Sequence, residues 1–88
     1  MEEIKIGDII EPTTPMRAAE FGEGVVIGFD GSHKTPVSVV FSPKKNTMIF
    51  HQFKREHVIL AEVSEERIKE LEKVGAAYDE LRRDMQRA

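Results

Sequence analysis

The chain has 88 residues, of which 40% are hydrophobic and 33% charged, with no cysteine and no tryptophan. That length holds one small domain with one modest core, and the missing thiols exclude a disulfide staple, a cysteine-ligated metal and a cysteine nucleophile. Sixteen acidic against thirteen basic residues leave a net charge of −3, which is not the footprint of a protein built mainly to grip phosphates.

The chain opens on Met1-Glu2-Glu3, acidic where a secretion signal is basic, and no apolar segment follows. The longest apolar stretch, Val25-Val26-Ile27-Gly28-Phe29, is far shorter than the roughly 18 residues that span a bilayer. A soluble, cytoplasmic protein is therefore expected. Up to residue 61, short Val, Ile and Phe runs alternate with Gly, Pro, Asp, Asn and Lys. Ile4, Ile6, Ile9 and Ile10 make the first strand, ended by Glu11-Pro12, since proline cannot donate to a ladder. In the loop from Glu11 to Glu23, Thr14 as N-cap, Pro15 at the first helical position and Gly22 as a left-handed stop predict a turn or two of helix.

Residues 25–29 make the second strand, closed by Asp30-Gly31. The third runs from Val37 to Phe41, with Val37, Val39 and Phe41 on one face by the period of two. Pro43-Lys44-Lys45-Asn46 reads as a polar turn, and residues 47–52 and 58–61 supply the last two strands. Five short strands at this spacing predict a small barrel or sandwich, and closure into a barrel also removes the open edges that invite aggregation.

From Ser64 the period switches to about 3.6. Ser64 is the N-cap, and Glu65-Glu66 place negative charge on the positive end of the helix dipole. Ile68, Leu71, Val74 or Gly75, Tyr78, Leu81 and Met85 form one apolar stripe on a helix over residues 65–86. Twenty-two residues span about 33 Å, whereas a 60-residue barrel is roughly 25 Å across, so the helix overhangs. Its distal face of Tyr78, Leu81 and Met85 then either frays into solvent or meets another protein. The expected organisation is mainly β: a barrel over residues 1–61 with an appended amphipathic helix over 62–88.

One sequence pattern is more specific. Ile6-Gly7-Asp8-Ile9-Ile10, then Phe21-Gly22-Glu23-Gly24-Val25-Val26, then Val39-Val40-Phe41 and a Lys-rich turn resemble the small SH3-like barrels of the KOW and bacterial Tudor-like type. The similarity is to the barrel at the C-terminus of UvrD/PcrA-type helicases and to that of CarD-like transcription regulators, and it covers residues 4–61. The residues carrying it have structural duties. Gly22 and Gly24 flank a tight turn into a strand where a Cβ is excluded, Phe21 plugs the barrel end, and Asp8 after Gly7 accepts backbone N–H bonds in a turn.

The resemblance implies a non-enzymatic bacterial or phage adaptor, docking on RNA polymerase, a helicase or a ribosome-associated protein through strand edges and loops. With five Phe, one Tyr and no Trp, the aromatic groove of a peptide-binding SH3 domain or the cage of a methyl-lysine reader is not expected. The alternative is a KOW-like nucleic-acid module using Lys34, Lys44, Lys45, Lys54 and Arg55, if the loops carrying them gather at one end. A further alternative is a small structural protein that homodimerises through its helix. His51 and His57 lack the third and fourth ligands zinc requires, and the serines have no nucleophile-elbow context, so no metal, cofactor or catalytic residue is expected.

Overall fold

The computed structural model describes residues 3–31 and 35–87, with side chains through residue 85. The elements in chain order are strand β1 (Ile9–Pro12), helix α1 (Pro15–Phe21), β2 (Gly24–Phe29), β3 (Val37–Phe41), β4 (Ile49–Phe53), a 3-10 turn (Arg55–His57), β5 (Val58–Leu60) and helix α2 (Glu65–Arg87). The strands form one antiparallel sheet in the order β4-β3-β2-β1-β5.

The first apolar run is divided rather than a single strand. Gly7 takes φ +95°, and the Lys5 N–H donates to Asp8 Oδ2 at 2.8 Å, so a turn stands where Ile6 would have continued the strand. Ile4 nevertheless reaches the core and Ile6 stays exposed. Pro12 is the last residue of β1, opposite Val58. In α1, Thr14 and Pro15 occupy the N-cap and N1 positions, although the Thr14 side chain makes no capping bond. Gly22, at φ +67° and ψ −148°, ends the helix in a region essentially reserved for glycine. Two residues on, close packing excludes a side chain at Gly24: a Cβ there would stand 2.6 Å from Val39 Cγ1, 2.7 Å from Phe41 Cδ1 and 2.8 Å from the Val40 carbonyl oxygen.

The sheet does not close into the expected barrel: β4 pairs with β3 and β5 with β1, and the ladder stops there. It does curl, because Phe53 of β4 and Val58 of β5, on opposite edges, join the same buried cluster. That inner cluster also contains Ile4, Ile10, Val26, Val37, Val39 and Phe41, with Phe21 from α1 stacked on Phe41 at 5.0 Å between ring centroids. The seam between the two edges is thus filled by side chains, and the three-residue β5 pairs with β1 alone. A bulge at Ile27 shifts the β2–β3 register between Val26 and Gly28. This extra residue turns Phe29, which alternation from Val25 would send outward, back onto the inner cluster.

The outer face is covered by α2. Leu71, fully buried, packs with Ile9, Val25 and Val40, and Ile68, Val74 and Tyr78 flank them. Consequently β3 is buried on both faces along its whole length. Gly75 is the point of closest approach, where a Cβ would come within 2.9 Å of Val25 Cγ1. Ser64 Oγ accepts the N–H of Arg67 at 3.2 Å, capping the helix. Among the described residues, the helix ion pairs are Arg67–Glu70 and Asp79–Arg82, both three residues apart. No described helix is long and apolar enough to cross a membrane.

Candidate protein-interaction surface

The apolar stripe of α2 changes character along its length. Through Tyr78 it is covered: that ring belongs to the outer cluster and lies parallel to Phe50 of β4, 5.2 Å between centroids. Tyr78 is therefore tied to the sheet and is not part of a wholly free distal face. Beyond it, the nine residues to Arg87 carry about 13 Å of helix past the last apolar contact. Leu81 is 50% exposed and Met85 71% exposed. Tyr78, Leu81, Arg82 and Met85 line a hollow of about 360 Å³. Phe50, itself 40% exposed, continues the apolar surface from this hollow onto β4, whose outer side has no strand partner. Helix end and strand edge form one continuous, partly apolar border of the molecule.

The basic side chains are distributed differently from a single patch. Register places Phe41 opposite Ile49 and Val37 opposite Phe53, so the turn bearing Lys44 and Lys45 is at one end of the β3–β4 hairpin and Lys54 and Arg55 are at the other. The five residues of β4, about 16 Å of strand, separate them. Lys34 lies outside the described residues. Arg55 donates through Nη1 to the Val58 carbonyl at 3.1 Å, which holds the 3-10 turn. Lys44 and Lys45 border a groove of about 610 Å³ beside α2, shared with Arg67, Lys73 and the Glu70 carboxylate. Arg67 is occupied there, donating to Glu70 at 3.0 Å and to the Ser42 carbonyl at 2.8 Å.

A second groove, of about 330 Å³, runs between β4 and the start of α1. Its centre is His51, which packs 4.6 Å from Phe53 and 5.5 Å from Phe21, on the inner side with Ile49. Arg17 Nη1 lies 3.3 Å from His51 Nε2, and His51 Nδ1 lies 2.9 Å from the Gln52 carbonyl oxygen. His57 borders the same groove, so the two histidines do approach one corner. Among the described residues no three His, Cys, Asp or Glu side chains gather at metal-binding distances. Arg17 is a groove residue that no sequence motif singles out. Its partner is 34 residues away, and only the packing of α1 on the sheet joins them.

No protein family, no curated protein and no solved structure matches this chain.

Proposed function

We propose that the protein is a non-enzymatic interaction module, an open SH3-like barrel that docks a protein partner and serves as an adaptor in transcription, repair or another nucleic-acid machinery of the cytoplasm. The observation that carries this reading is the abrupt change along α2. A stripe packed on the sheet through Tyr78 continues as Leu81 and Met85 into solvent, over a hollow, beside the unpaired edge of β4. Burying such exposed apolar side chains against a partner contributes up to about 1.5–3 kcal/mol each. The separation of Lys44 and Lys45 from Lys54 and Arg55 favours this over a phosphate-gripping surface.

The test is affinity capture from lysate with the full chain beside a Leu81→Gln, Met85→Gln chain. Gln keeps the helix propensity of these positions, and both are exposed, so folding stability should change by no more than about 0.5 kcal/mol. A partner retained by the wild-type chain should be held at least about tenfold more weakly by the variant. Identical capture by both chains overturns the reading. A wild-type chain that sediments as a dimer, with a monomeric variant, assigns the face to self-association instead.

A further inference from the structure

The groove between β4 and α1 has three properties that together define a ligand. First, it follows the strand edge. Three consecutive β4 residues, His51, Gln52 and Phe53, line it with Lys54 just beyond the strand end, and successive side chains of a strand point to opposite faces, so a surface touching all three runs along the edge and not over one face. Second, no carboxylate lines it, and neither Arg17 nor Lys54 has an ion-pair partner among the described residues. Third, its two cationic side chains, Arg17 and Lys54, can only donate. His51 Nε2 therefore accepts from Arg17 and the ring proton sits on Nδ1, facing the Gln52 carbonyl oxygen. The ring is thereby held at both nitrogens, and its one acceptor is already used. The Gln52 amide, also turned away, donates to Ser38 Oγ at 3.1 Å.

An edge strand offers alternating N–H and C=O groups at a spacing that another extended polypeptide matches, which favours a peptide over a nucleic-acid backbone. We propose that an extended, acidic peptide segment of the partner adds as a strand beside β4, with its carboxylates against Arg17 and Lys54. This rests on the interaction reading above and deepens it: the α2 end supplies an apolar anchor, and the β4 groove selects for negative charge.

The experiment is an amide NMR titration of the full 88-residue chain with a blocked hexapeptide alternating Thr and Glu. Shifts should concentrate at residues 51–54 and Arg17. The Arg17→Gln, Lys54→Gln chain should bind about fivefold more weakly, the upper range for exposed charge pairs. The matching Thr–Lys peptide should leave those amides unmoved. Equal binding of the Thr–Lys peptide, or tighter binding of a single-stranded oligothymidylate at the same amides, overturns the proposal. The Leu81→Gln, Met85→Gln chain should bind the Thr–Glu peptide as the wild type does. Absent peptide shifts in the wild-type chain therefore overturn the β4 site alone, whereas partner capture indifferent to positions 81 and 85 overturns the wider reading.

Discussion

Gly24→Ala is expected to destabilise the protein by about 3 kcal/mol, at the upper end of what overpacking a filled core costs. The added methyl group would meet Val39, Phe41 and the Val40 carbonyl oxygen, all within 2.8 Å. None of these yields cheaply. Val39 and Phe41 are completely buried, Phe41 is stacked on Phe21 and edge-on to Phe53, and the carbonyl belongs to β3, which is buried along its whole length. A domain of this size has a total stability of roughly 4–13 kcal/mol, so the loss should lower the melting temperature by about 15 °C. Gly28→Ala is the internal control: it lies on the same strand, where an added Cβ would meet nothing within 4 Å and φ is not positive. Thermal unfolding followed by circular dichroism should separate the two variants widely. Equal melting temperatures would mean that β2 and β3 do not approach as described.

Leu71→Ala should cost a similar amount, about 3 kcal/mol, by a different route. Leu71 is the fully buried residue through which α2 contacts Ile9, Val25 and Val40, and removing it leaves a cavity between helix and sheet. The inner cluster has no member on α2, so the loss should first appear as loosened helix docking. Tyr78 is the chain's single tyrosine, with no tryptophan to mask it, and its stacking on Phe50 makes its fluorescence a reporter of that docking. In urea, the Tyr78 signal of the Leu71→Ala chain should change before the far-ultraviolet dichroism of the whole domain, departing from two-state behaviour. A loss below about 0.5 kcal/mol would show that α2 is not integrated with the sheet.

Much of this architecture was legible in the sequence because it rests on local chemistry. The switch of period at Ser64 and the Pro15 and Gly22 that bound α1 each have a cause within a few residues, whereas what excludes a Cβ at Gly24 comes from Val39, Val40 and Phe41 on β3. Closure of the sheet was not legible. It depends on the reach of β5 and on the side chains filling the seam, and the strand count carries neither. The bulge at Ile27 was also hidden, since Val25-Val26-Ile27 is apolar at every position and alternation offers no contrast. The division of the basic residues could have been read: an antiparallel hairpin turning at Lys44-Lys45 must place Lys54-Arg55 at its far end. The β4 groove could not, because Arg17 and His51 meet only through tertiary packing.

The central claim is that the end of α2 beyond Tyr78 is a docking surface while the rest of the helix is structural. It is tested most directly by placing a photo-reactive benzophenone side chain at position 81 or at position 72, half a helical circumference away, and irradiating cells that produce each chain. Glu72 and Leu81 are both exposed, so accessibility alone does not distinguish them. A discrete cross-linked product with one partner protein from position 81, and none from position 72, is the expected result. Equal labelling from both positions, or no product from position 81, would contradict the account.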